Sequence, residues 1–470
     1  MLEQMEVQVT RNVFAVLLLG LATVGSMPAL VLNVPSSYPT IQAGINAATS
    51  GDTVLAAPAT YYENINFRGK NIVVASNYLL SGSPGAIDST IINGGNSFTD
   101  TGSCVLIVSG EDSTAKLEGF TITRGTGTLW TDEHSGALNR EGGGVLIALS
   151  SPVIRHNIIV DNSATNRNGA TSAGGGGIRV GDGNPLIEGN VIMSNSGRYG
   201  AGIELNYTGA RIRNNVIFNN RGGQDDGGGG ILVHQGFSAP KVIENNTIVE
   251  NSSSTGGGGI RVWEADSVVC RNNIVWGNVA ATGDQLDDQN GSARVTYCDV
   301  EGGWPGNIDA DPMFARDNFY LTPGSPCVDA GDPGPAYNDP DSSGAAKWPA
   351  LGGLRNDIGA YGGPRASVLA TTFYGISERP PVTTRRFGLT VQPQPCRTEA
   401  FVRFEFHRPG QVSLALYDAA GRQVRRFIAG RVNAGGQAVR LSLSGLPAGG
   451  YVVWLAAGGY VETTTMVIAR

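Results

Sequence analysis

The chain has 470 residues, 41% of them hydrophobic and 16% charged, with 68 glycines and a formal net charge of −7. That length holds a large core plus a second domain, and an acidic balance without a compensating basic patch argues against nucleic acid as a partner. The five cysteines, Cys104, Cys270, Cys298, Cys327 and Cys396, have no C-x-x-C metal spacing. Cys298 with Cys327 is the candidate disulfide, and Cys270 reads as a small buried hydrophobe.

An apolar stretch from Val13 to Val24, preceded by Arg11 and followed by small residues near Ser26 and Ala29, reads as a signal peptide over residues 1–29. It is too short to span a bilayer, and no other segment is apolar enough to do so. The expectation is a mature chain without a membrane span, secreted or held at the outer cell surface. Next, Tyr38 to Gln42 opens a short helical pattern with Ile41, Ile45 and Ala48 on one face, and Gly51-Asp52-Thr53-Val54 starts the first strand.

In the middle of the chain one phrase recurs around Asn157, Asn190, Asn215, Asn246 and Asn273, spaced 33, 25, 31 and 27 residues apart. A second asparagine follows each, at Asn162, Asn195, Asn220, Asn251 and Asn278, and the first four copies lead into a glycine run. Apolar runs this short, broken by Asn, Gly, Pro or Asp, suit brief strands and corners and leave no room for a long helix. Stacked in parallel, such coils align equivalent positions about 4.8 Å apart. Ile154, Ile187, Ile212, Ile243 and Cys270 are expected to form one inward column, and both asparagine series to form structural ladders at left-handed corners. Arg155, Glu188, Arg213, Glu244 and Arg271 alternate in sign, as a parallel stack favours.

The phrase through Tyr61, Tyr62, Glu63, Asn64 and Ile65, with the Asn-x-Ile repeats, resembles the right-handed parallel β-helices of the pectin-lyase-like superfamily. This implies an all-β fold, with residues 30–320 a β-helix carrying an N-terminal cap. The segments Asp309–Phe314, Leu321–Gly331 and Asp357–Gly363 resemble the closing segment of bacterial surface β-helices, implying a C-terminal cap over 321–364. A patternless linker, 365–386, precedes alternating strands. Residues 387–470, through Val412–Val424, Leu446–Tyr451 and Thr465–Ile468, resemble the C-terminal sorting domain of the type IX secretion system and the Ig-like domain of flagellar hook-capping proteins. That implies a small Ig-like β-sandwich serving as an address to the secretion machinery.

Loops between the second asparagine and the glycine run carry the length variation, and such loops often build a solenoid's binding face. They hold Arg140, Glu141, Arg167, Arg198, Tyr199, Gln224, Asp225 and Asp226. The strands after the glycine runs send Arg179, Glu204, Leu232 and Arg261 outward, with Tyr207, His234, Trp263 and Glu264 just beyond. Acidic, basic and aromatic groups along one groove are what a polysaccharide or surface glycan requires, with a solvated face of cross-coil pairs as the alternative. Glu204, Asp225 and Asp226 are the candidate catalytic carboxylates of a lyase or hydrolase. The motifs of polygalacturonases and pectate lyases are absent, and His134, His156, His234 and His407 are scattered. Asp339, Asp341 and Ser343 have the spacing of half a calcium loop, the one cofactor expected, against an ordinary Asx turn. The expected function is carbohydrate binding beside the glycine-run strands. The alternatives are cleavage in the same groove, or a purely structural or adhesive surface protein.

Overall fold

The computed structural model describes residues 29–95, 100–167, 169–236, 239–315, 318–369, 388–406, 410–418, 422–433, 435–457 and 460–469. The signal peptide (all but Ala29), most of the 365–386 linker and His407 lie outside them. The chain divides into two compact units, residues 1–372 and 373–470, each with its own apolar core.

The first unit is a parallel β-solenoid. One coil runs Val153–Arg155, Ile158–Val160, a loop with the short strands Ser163–Ala164 and Ala173–Gly174, and then Ile178–Gly181. Among the described residues, repetition of these stations builds a ten-stranded sheet A, a nine-stranded sheet B, a looser sheet D in the loops, and an eight-stranded sheet C. Ile154, Ile187, Ile212, Ile243 and Cys270 stand in register on sheet A and are buried, as the repeat predicts. Ile159, Ile192, Ile217, Ile248 and Val275 do the same on sheet B, and Ile178, Ile203, Ile231 and Ile260 on sheet C. Each such side chain contributes about 1.5–3 kcal/mol relative to exposure.

Both asparagine series are ladders. The Asn190 side-chain oxygen accepts from the Asn157 backbone N–H (3.0 Å) and amide (3.1 Å), and the pattern repeats through Asn215, Asn246 and Asn273. The second file ends on Gln285 and the first on the Cys298 sulfur. Cys298 and Cys327 are free thiols, not the expected disulfide: one finishes a ladder and the other donates to Asp299 (3.0 Å). The left-handed corner is one residue earlier than expected. His156, Asn214, Asn245 and Asn272 have φ near +50°, as do Asp161, Ser194, Asn219 and Glu250 in the second series. Hydrogen bonding therefore selects the ladder asparagines, and backbone conformation acts on their varied predecessors.

Of the alternating charges, Glu188 and Arg213 pair with each other, and the others find partners outside the series. Arg155 bonds Glu118 (2.8 Å), Arg213 bonds Glu188 (2.6 Å), Glu244 turns to Arg211 (3.7 Å), and Arg271 leaves the column for Asp332 (3.6 Å).

Sheet A begins earlier than the sequence suggested, with Val31–Val34 pairing Thr53–Ala56. Helix α1, Ile41–Ala47, covers the N-terminal end of the core with Ile41 and Ile45. Glu63 accepts from the Ile41 and Gln42 amides at its start, and Lys70 donates to the Ile45, Asn46 and Ala48 carbonyls at its end. These charges match the helix dipole and fill its orphan backbone groups.

At the other end Trp304 packs on the core. The closing segment does more than cap that end, because it folds back along the solenoid. Asn214 donates to the Ala360 and Gly362 carbonyls, Asn245 to the Asp357 carbonyl, and Phe319 meets Phe218 of sheet B. The corner asparagines thus anchor residues 356–363 across successive coils.

The second unit contains a three-stranded and a four-stranded antiparallel sheet among the described residues. Val402, Phe404 and Leu441 of one and Leu414, Leu416, Val453 and Leu455 of the other share a buried cluster, which makes a small β-sandwich.

Candidate functional site

Sheet C has two outer faces in succession. Arg179, Glu204, Leu232 and Arg261 stand in one file, and Gly181, Asn206, His234 and Trp263 in the next. The first file is not a surface. Arg179 and Glu204 are 1% and 2% exposed and Arg261 is 8% exposed, because the hairpin of Thr128–Thr131 and Leu138–Glu141 and the loop strands of sheet D lie over them.

Beneath the hairpin is a polar cluster. The Arg179 guanidinium stands 3.4 Å from Asp132, Glu133 and Glu141, and the space over Gly181 accommodates it, since a Cβ there would overlap its nitrogens. Tyr199 donates to Glu141 (2.7 Å). Burial raises the pKa of both Glu141 and Glu204, that of Glu204 well above the carboxylate range. The two carboxyls interact directly, which raises Glu204 further. Burial alone would depress Arg179, but the surrounding carboxylates outweigh it and keep it charged. Asp132, although buried, is held below the usual range by hydrogen bonds from Ser135 and by Arg179. The loop residues Glu141 and Tyr199 were visible in the sequence as loop residues. Their approach to Arg179 and Glu204 was not, because it depends on a loop strand folding over its own coil.

The second file and its corner form an open strip. Tyr207 stacks on His134 (centroids 3.5 Å apart), and His234 stacks on Trp263 (4.9 Å). Tyr207, His234 and Trp263 come from consecutive coils and are half-buried, while Glu264 is exposed. Gln235 donates to Glu264 (3.3 Å), and His134 reaches Asp182 (3.1 Å). Burial lowers the pKa of His234 against the pull of Asp226 and Glu264, so its imidazole is neutral near pH 7. Burial also raises Asp226.

The carboxylates proposed for catalysis do not form one group. Asp225 faces Arg198 (Nε at 2.7 Å) and Ser172 (2.6 Å), and Arg198 holds its pKa down. Asp226 faces His234 and Arg261, and Glu204 pairs with Glu141. A separate groove of about 630 Å³ runs over sheet D, lined by Ser196, Arg198, Arg221, Gln224 and Ser252 among others.

The calcium half-loop is drawn apart. Asp339 is buried and accepts the Asp357 and Gly363 amides, whereas Asp341 caps the Gly344 amide (2.7 Å) in an exposed hairpin turn, with Ser343 left-handed at φ 61°. Among the described residues no group of three or more His, Cys, Asp or Glu side chains is arranged to hold a metal ion. No helix among them is long and apolar enough to cross a membrane.

Residues 72–275 match the family model described as a right handed beta helix region. Among solved structures, the chain is similar to a pectin methylesterase mutant in complex with a hexasaccharide, with 9% identity, 62% of this chain and 96% of that one covered, and a TM-score of 0.28. It is also similar to the enzymatically active domain of tailspike protein 4 of bacteriophage CBA120, with 12% identity, 90% and 64% covered, and a TM-score of 0.17. A search of curated proteins gives no match. The solenoid is a right-handed parallel β-helix.

Proposed function

We propose that the protein is exported and binds carbohydrate along the open strip of sheet C. The observation that carries this reading is the placement of Tyr207, His234 and Trp263 on three consecutive coils, half-exposed, with Asp182, Gln235 and Glu264 at the adjoining corners. Aromatic edges and faces shed water against the apolar side of a sugar ring, while carboxylates and amides take its hydroxyls. The coil repeat sets these contacts about 4.8 Å apart, so an extended chain lying along the solenoid axis meets one set per rung. The C-terminal sandwich is assigned to sorting at the cell surface.

A glycan array probed with the full chain tests the reading. Retention of at least one polysaccharide class is expected, and retention of none would leave a structural or adhesive role. The Glu141–Glu204 carboxyl pair favours a second, hydrolytic reading: burial and Glu141 raise the pKa of Glu204 well above the carboxylate range, the direction a general acid needs. Release of new reducing ends from a bound glycan would establish it, and an intact ligand after prolonged incubation would rule it out.

A further inference from the structure

The charge and hydrogen-bonding balance of sheet C's outer side says what kind of sugar fits there. Asp182, Asp226 and Glu264 border the strip, and Asp132, Glu133 and Glu141 stand behind it. Against them are Arg179, already facing carboxylates, and Arg261, 3.5 Å from Asp287. Each guanidinium already has carboxylate counter-charge beside it. Two buried polar atoms of this cluster nevertheless lack a hydrogen-bond partner: Arg179 Nη1 and Asn206 Oδ1. They belong to residues between 1% and 7% exposed. A buried donor or acceptor left unpaired costs about 1–3 kcal/mol, and this pair mixes a donor with an acceptor. A hydroxyl satisfies both at once, whereas a carboxylate or sulfate accepts only.

The hairpin above these atoms is held at its tip by polar contacts. Asp132 lies 3.4 Å from both Arg179 and Asn206, and His134 stacks on Tyr207 and bonds Asp182. No buried apolar side chain occupies residues 129–139, where Leu138 is exposed. Segments so held belong to the low-stability end of local opening.

We infer that the ligand of this face is an uncharged, hydroxyl-rich saccharide, one ring of which enters beneath the 128–141 hairpin, and that uronate- or sulfate-bearing chains are rejected. The inference rests on the carbohydrate reading above and narrows it. Hydroxyls pair the orphaned atoms of Arg179 and Asn206, and the bordering carboxylates repel an anionic chain.

The test titrates the full chain with pairs of oligosaccharides of equal length and linkage, one neutral and the other oxidised at C6 to the uronate. The neutral member is expected to bind, with the uronate about tenfold weaker or more at low salt and the gap closing as salt rises. Glu264→Gln is expected to narrow the gap by strengthening the uronate. A uronate that binds as tightly as its neutral partner would overturn the inference while leaving the carbohydrate reading intact. Absence of binding by both members of every pair would remove that reading itself. Amide hydrogen exchange across residues 128–141 is expected to change when the neutral sugar binds, and unchanged exchange would overturn the placement beneath the hairpin.

Discussion

At residue scale, two neighbours in one corner do opposite work. Asn251 is buried, accepts from the Asn220 backbone and amide, and donates to the Ile217 and Val249 carbonyls and to Asn278. Asn251→Ala strands several of these groups without water, and a loss of about 2–4 kcal/mol is expected in denaturant unfolding. Glu250, one residue earlier, is exposed and sits at φ +56°. Glu250→Gly is expected to be neutral or to stabilise by up to about 1 kcal/mol, since only glycine takes that conformation freely. A reversed order would mean that the corner conformation, not the amide file, selects the asparagines. The repeat made these ladders legible because the same residue type recurs at fixed offsets from an apolar phrase. The left-handed site was misplaced by one because its occupants, His, Asn, Asp, Ser and Glu among them, share no chemistry that a sequence displays.

At the scale of elements, the glycine runs and the closing segment each make a prediction. The backbone of one run hydrogen-bonds the next, and a Cβ on Gly202 would stand 2.4 Å from the Gly230 carbonyl oxygen. Gly202→Ala is therefore expected to cost about 2 kcal/mol or more, with thermal unfolding as the readout. In the closing segment, burial and the neighbouring carboxylates Asp357 and Asp329 push Asp339 up to about 8, and burial pushes Asp357 up to about 6, from an ordinary 3.8. The folded state thus binds more protons than the unfolded one between about pH 4 and about pH 8. Stability from these groups is complete below pH 4 and is lost as pH rises through that window. Asp339→Asn is expected to flatten the pH dependence, measured as the denaturation midpoint from pH 4 to 9. A wild-type midpoint that climbs across that range would contradict the assignment. The 339–344 motif looked like half a calcium loop because alternation of Asp and Ser is also what a buried carboxylate followed by an Asx hairpin produces. Sequence order does not tell which side chain faces inward. The same ambiguity hid the Arg179–Glu204 cluster: strand alternation sent those residues outward correctly, but the hairpin that buries them comes from a loop with no repeat of its own.

At the scale of the molecule, each unit has a core of its own. Removal of residues 373–470 is expected to leave the β-helix unfolding transition within about 1 °C of its original midpoint, followed by circular dichroism; a shift well beyond the effect of a surface mutation would show that the units depend on each other for stability. The solenoid matters for function because identical coils convert a sequence repeat into a spatial one. Tyr207, His234 and Trp263, from coils of 25, 31 and 27 residues, come to lie along one edge. The measurement that tests this most directly compares sugar binding by the full chain with that of its Trp263→Ala variant, both shown to be folded by unchanged circular dichroism. The account predicts affinity weakened by about tenfold or more in the variant. An affinity equal to that of the parent chain would contradict it.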